Sequence, residues 1–263
     1  MSQDYSKSIV DSNDGYAMPP TKHNWWMLLV LPAWVTISFF VAQILVEGVV
    51  WLMVAVNIPL KSVNSAFLET ILASLIYLIT IFLVIIAPWL YKKAQTTKSE
   101  IGLTRLPKWS DILFAPAGLI IYLIASSLLI LIATKVLPWF NVNQVQSTGF
   151  GQLSQQYEYI LAFFTLVVIA PIAEEILFRG YLYGKLKKFV PVWAAIIVTS
   201  LLFGAIHGEW NIFFDTFALS IMLCLLRELT GNIWSPILLH MIKNGIAFYI
   251  LFIYPTLLTT LVR

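Results

Sequence analysis

Charge is what this sequence has least of: 11% of its 263 residues are Asp, Glu, Lys or Arg, against about 25% in ordinary soluble domains. With 60% hydrophobic residues and a mean hydropathy of +0.86, that scarcity argues against a soluble globular domain. There is one cysteine, Cys224, inside an apolar run, so an intramolecular disulfide and a four-cysteine metal site are both excluded. Internal repeats and low-complexity tracts are missing. The first two dozen residues lack the basic start and short apolar core of a cleaved signal peptide, so the first apolar run is expected to be retained.

What is present is a series of apolar runs, each long enough for the roughly 20 helical residues that cross a bilayer. They cover residues 24–46, 70–91, 112–134 and 158–183, followed by shorter runs at 189–206, 211–226 and 232–254. The first opens with Trp25 and Trp26, which favour the membrane interface. Residues 47–59 are also apolar and read either as an extension of the first helix or as a separate piece. The expected fold is therefore all-α, a polytopic membrane helix bundle of seven spans, or eight, with a membrane-embedded polar cavity.

The net charge of +3 and pI of about 8.9 come from basic residues in short loops beside apolar runs, which read as topology signals rather than as a nucleic-acid surface. Lys92, Lys93, Lys98, Arg105 and Lys108 lie between the second and third runs, and Lys185, Lys187 and Lys188 between the fourth and fifth. These two connections are expected to be cytoplasmic, with the N-terminus inside and Arg263 outside. Residues 1–24 form a polar tail, 25–157 the N-terminal spans and loops, and 158–258 a core in which polar residues concentrate. Residues 141–156 read as a loop.

Ionisable groups within a span cost about 2.5 to 3.5 kcal/mol each on insertion scales and so need an explanation. The fourth run holds Glu174, Glu175 and Arg179. Glu175 and Arg179, four apart, share a helical face and can form an ion pair. Glu174, about 100° round the helix, is left without a cation and becomes the candidate general base. A purely structural charge cluster would use the same residues. His207 closes the fifth run, four residues after Phe203, while His240 and Asn244, four apart in the last run, set two hydrogen-bond donors side by side. Two such donors can stabilise an oxyanion, or simply pin helices together. Asp215, Glu209, Arg227 and Glu228 are expected to be paired or to reach the interface. Lys243 either lines a cavity or faces lipid.

The ordered set E-E-x-x-x-R, F-x-x-x-H and H-x-x-x-N, formed by Glu174, Glu175 and Arg179, then Phe203 and His207, then His240 and Asn244, resembles the signature of the CAAX-protease and bacteriocin-processing family of intramembrane endopeptidases. Gly180-Tyr181 and the segment from Gly231 to Pro236 add to the likeness, which covers less than half of the chain. The resemblance implies that Glu174 and His207 activate a water to attack a peptide carbonyl, while spacing alone leaves the roles of Glu174 and Glu175 exchangeable. It further implies that His240 and Asn244 stabilise the oxyanion, while Glu175 and Arg179 support the site. Losing one donor of that kind costs about 100- to 1,000-fold in rate.

A metal-free glutamate mechanism is expected, with no cofactor. Glu174, His207 and His240 are the ligand set if zinc is used instead. Neither H-E-x-x-H nor G-x-S-x-G occurs, and Ser200, Ser220 and Cys224 have no evident base. The partners expected are a peptide or protein substrate and the lipid bilayer. The resemblance permits prenylated C-terminal peptides, bacteriocin or pheromone precursors and signalling-protein spans as substrates. A bacterial plasma membrane is expected, since the chain does not end in K-D-E-L. Two other functions use the same residues: a non-catalytic immunity or scaffold protein of the same fold, and an ion-coupled transporter, which would call for a repeat symmetry that the sequence does not display.

Overall fold

The structure, a computed structural model, describes residues 23–91, 96–141, 149–151 and 153–256. Lys92, Lys93, Arg263, most of the polar tail and the middle of the 141–156 loop lie outside the described residues. Among those described, the chain is helix and loop with no strand. The all-α architecture follows from the long apolar runs, because in lipid a helix satisfies every backbone polar group within its own segment.

Helix α1 (Met27–Ala55) is followed by α2 (Ser65–Leu90), the short α3 (Lys98–Ile101), α4 (Trp109–Val136) and α5 (Gln156–Leu186). Then come α6 (Val192–Ala205), α7 (Trp210–Thr230) and α8 (Trp234–Ile253). Helix α1 runs unbroken through residue 55 and leads into a 3-10 turn at Leu60–Ser62, so most of the 47–59 stretch extends the first helix. All seven expected runs are helical. Five of them (α1, α2, α4, α5 and α8) are long and apolar enough to cross a membrane, which makes a multi-pass membrane protein.

Helix α6, with 14 residues, is about 21 Å long at 1.5 Å per residue, short of a roughly 30 Å hydrocarbon core. Helix α7 carries Asp215, Arg227 and Glu228. Both pack inside the bundle: α7 lies against α6 and α4, and Gly204 of α6 is close enough to α7 that a Cβ there would stand 2.9 Å from the Phe213 ring. Leu29, Ile37, Ile44, Leu78 and Ile120 on the outer helices are exposed, as expected where lipid replaces water.

The buried centre is formed by α5, α6 and α7, with Leu182, Tyr183, Leu186, Phe203, Leu219 and Leu223 almost wholly enclosed. Helix α5 carries two π-helical stretches, Phe164–Ile169 and Ile176–Leu182, which flank the α-helical turn Ala170–Glu175. Such widened turns are frequent at functional sites.

Three polar rungs join α2 or its cap to α5. Asn64 Nδ2 donates to Glu158 at 2.6 Å, Thr165 Oγ1 to Thr70 Oγ1 at 3.1 Å, and Tyr77 Oη to Glu174 at 2.6 Å. At the start of α4, the buried carboxylate of Asp111 accepts from Arg105, the Lys108 amide, Asn232 and Ser235, tying α4 to the start of α8.

Candidate active site

The widened α5 sets Glu174 and Glu175 at the end of a single α-turn, facing different neighbours. Glu175 is fully enclosed. Its Oε1 accepts from Arg179 Nη1 at 2.9 Å, the expected i, i+4 ion pair, and also lies 2.9 Å from His240 Nδ1. A carboxylate only accepts, so the Nδ1 of His240 carries the hydrogen.

Glu174 faces a cavity. It has no Lys or Arg partner among the described residues, yet it is not free of partners: Tyr77 donates to Oε1, and Oε2 lies 3.8 Å from His240 Nε2. Tyr77 sits far upstream of the motifs, and no spacing rule pointed to it.

His207 lies just past the last residue of α6, in a turn continued by Gly208 at φ +77°. Its Nδ1 is 2.7 Å from the carbonyl of Phe203 one turn earlier, which accepts the hydrogen. In the neutral ring the lone pair is then on Nε2. The Phe203 ring is the hub of the three motifs. Its centroid lies 4.4 Å from Arg179 Cζ, 5.0 Å from the His207 ring and 5.8 Å from the His240 ring.

Asn244, one turn after His240, donates from Nδ2 to the carbonyl of Leu166 at 2.9 Å, within the first π stretch. An amide nitrogen carries two hydrogens, so one remains for another acceptor. Glu174, His207, His240 and Asn244 all line one cavity of about 260 Å³, together with Tyr77, Thr216 and Lys243. A second, more apolar cavity of about 170 Å³ adjoins it, also lined by Tyr77, Glu174 and His207 and otherwise by residues such as Val35, Phe39 and Leu202.

Lys243 therefore lines the cavity. Its Nζ is 3.4 Å from Asp215, whose other carboxylate oxygen accepts from Tyr122 and Ser126 at 2.6 Å each. On the lysine-rich side, Arg227 donates to the carbonyl of Glu100, and Glu228 pairs with Lys187. Among the described residues, no three His, Cys, Asp or Glu side chains come together as a metal-binding group. Glu174, His207 and His240 share the cavity without being such a group, and His240 Nε2 lies 3.8 Å from Glu174 Oε2.

Residues 156–246, which contain every motif residue, match the family model described as type II CAAX prenyl endopeptidase Rce1-like. Part of the chain is also similar to several curated proteins. The chain is 29% identical over 123 residues to the uncharacterized protein YpbD of Bacillus subtilis, covering 45% of this chain and 61% of that one. It is 28% identical over 104 residues to the putative membrane peptidase YdiL of the same organism, covering 36% and 43%. The membrane-embedded CAAX protease MroQ of Staphylococcus aureus is 28% identical over 88 residues, covering 31% and 36%. The alignments span less than two thirds of each of these relatives. No solved structure gives a significant match. Residues 156–246, which hold all three motifs intact and bring them to one cavity, are thus similar to the Rce1-like CAAX protease family.

Proposed function

We propose that this chain is an intramembrane endopeptidase that hydrolyses a peptide bond with a water activated by Glu174 and His207. The observation that carries the reading is the meeting of Glu174, His207, His240 and Asn244, drawn from three separate segments, in one cavity. The two relatives named as membrane peptidase and CAAX protease support it, as does the family match.

In this mechanism, water between Glu174 and the bare Nε2 of His207 gives up a proton and attacks the carbonyl carbon. The oxyanion accepts from Asn244 and from His240 Nε2. For the latter to donate while Nδ1 is held by Glu175, the ring must carry both protons, and Glu175 is the adjacent countercharge. Collapse of the intermediate breaks the carbon–nitrogen bond. The proton held on the glutamate or histidine passes to the leaving amine, so that one water is consumed and an acid and an amine are formed.

The proposed chemistry is metal-free, with Glu174 and His207 rather than a metal ion activating the water. The proposed setting is a bacterial plasma membrane with the lysine-rich α2–α4 and α5–α6 connections cytoplasmic. The substrate is a peptide or protein segment presented at the membrane.

The test is cleavage of a fluorogenic peptide panel by the purified protein in detergent, comparing wild type with Glu174→Gln and repeating both after treatment with a zinc chelator. Wild-type cleavage that is lost in Glu174→Gln and indifferent to chelator is expected. Loss on chelation, restored by zinc, would overturn the metal-free mechanism, and undiminished cleavage by Glu174→Gln would remove Glu174 as the base.

A further inference from the structure

The geometry points to Tyr77, on α2 and outside residues 156–246, as a positioning residue that holds the Glu174 carboxylate in its working orientation. The inference rests on the reading of Glu174 as the base. A carboxylate on a helix can turn about its last torsion, and that torsion is broad rather than fixed in narrow wells. At Glu174 something must decide which oxygen faces the reacting centre.

The phenol of Tyr77 does so, because its hydroxyl donates to Oε1 at 2.6 Å, a short charge-assisted bond, and leaves Oε2 on the side of His240. Tyr77, Glu174 and His207 line both cavities, so the bond lies at their boundary, where a substrate passing from one to the other meets the water. The other charged or titratable groups lining the larger cavity are His207 at the end of α6 and His240 and Lys243 on α8. Of these, His240 is fixed by Glu175 and Lys243 by Asp215. Tyr77 is the group that α2 contributes.

The other two rungs between α2 and α5 separate this role from simple helix attachment. Thr70 receives the Thr165 hydroxyl about two turns before Tyr77 and lines neither cavity. If α2 only braces the bundle, losing either rung has the same consequence. If Tyr77 orients the base, only its loss slows the reaction.

The experiment compares wild type, Tyr77→Phe, Thr70→Val and Glu174→Gln in the 263-residue chain. Tyr77→Phe, which removes one oxygen, is expected to lower kcat about 10- to 100-fold with KM nearly unchanged, the size of loss that follows from small misplacement of a reacting group. Thr70→Val is expected to leave kcat as it is. Equal kcat in Tyr77→Phe and wild type, or an equal fall in Thr70→Val, overturns the proposal. If Glu174→Gln still cleaves, the reading of Glu174 as base is what fails; if wild type cleaves no peptide, the peptidase reading fails for that panel. The pair is then read directly by a double-mutant cycle of Tyr77→Phe and Glu174→Leu in detergent unfolding: measurable coupling supports the orienting contact, and none overturns it.

Discussion

Glu175 Oε1 and His240 Nδ1 are 2.9 Å apart, and the same oxygen holds the Arg179 guanidinium at 2.9 Å. One buried carboxylate thus joins the first and third motifs, which are 65 residues apart in the chain. Glu175 is the hinge between an ion pair within α5 and an imidazole on α8, more than a helix-face ornament.

The first prediction concerns that carboxylate. Glu175→Ala leaves Arg179 buried without its countercharge, and breaking one side of a buried pair costs about 3–5 kcal/mol. Replacing both partners by apolar residues, as in Glu175→Leu with Arg179→Met, is expected to cost less than either single loss. Unfolding midpoints in detergent check this, and a double variant less stable than both singles would contradict the account. Activity should be lost in Glu175→Ala and in the double variant, since both leave His240 without the acceptor at Nδ1.

Phe203→Leu tests the aromatic hub. The substitution removes the ring face above Arg179, worth about 2 kcal/mol where both partners are desolvated, and the edges against which His207 and His240 pack. The carbonyl that fixes the His207 tautomer belongs to the backbone and stays. Activity is therefore expected to fall through misplaced imidazoles rather than through a changed protonation pattern. Thermal stability and kcat measured together read this out: a stable variant with full kcat would show that the ring only fills space.

The motif residues were legible because an ionisable group in an apolar run stands out and because i, i+4 spacing on a helix determines who can meet. That logic anticipated the Glu175 to Arg179 pair and the shared face of His240 and Asn244. It could not find Tyr77, whose side chain is unremarkable in an apolar run and gains meaning only when α2 packs alongside α5. Nor could it show that His240 belongs to Glu175, since contacts between α8 and α5 depend on packing rather than on sequence spacing. The π stretches were invisible as well: no glycine or proline pattern announces a widened turn, yet Leu166 in one of them receives Asn244. Lys243 was open between cavity and lipid, and its partner Asp215, on another helix, decided it.

Glu100 gives a pH-dependent prediction outside the spans. Burial raises its carboxyl, but the Lys188 hydrogen bond, the Thr97 amide and the Lys185 and Lys188 charges outweigh that and hold it below its ordinary value of 4.5. A group depressed on folding contributes stability that is complete above 4.5 and is lost as pH falls through the lower folded-state value. The unfolding temperature of wild type is expected to drop over that acidic window more than that of Glu100→Gln. Parallel curves for the two proteins would contradict it.

Gly184→Ala makes the sharpest structural prediction. Helix α3, closed by the Thr97 and Glu100 capping box, lies against α5 where Gly180 and Gly184 expose backbone. A Cβ on Gly184 would stand 2.5 Å from the carbonyl oxygen of Glu100, a backbone atom that cannot turn aside as a side chain can. At Gly180 the nearest atom is the methyl Cγ2 of Ile101, at 2.8 Å, which has some freedom to move. Gly180→Ala can be met by a shift of the Ile101 side chain, but Gly184→Ala has to move main chain, which also receives Arg227 at that carbonyl. Overpacking of a close contact typically costs about 1–3 kcal/mol, and Gly184→Ala should lie at the upper end and Gly180→Ala at the lower. Because α3 also holds Glu100 to Lys188, its displacement should flatten the acid sensitivity predicted for that carboxylate. Unfolding of Gly180→Ala and Gly184→Ala across the acidic range measures both effects, and a Gly184→Ala protein as stable and as pH-sensitive as wild type would mean that α3 does not dock where its backbone meets α5.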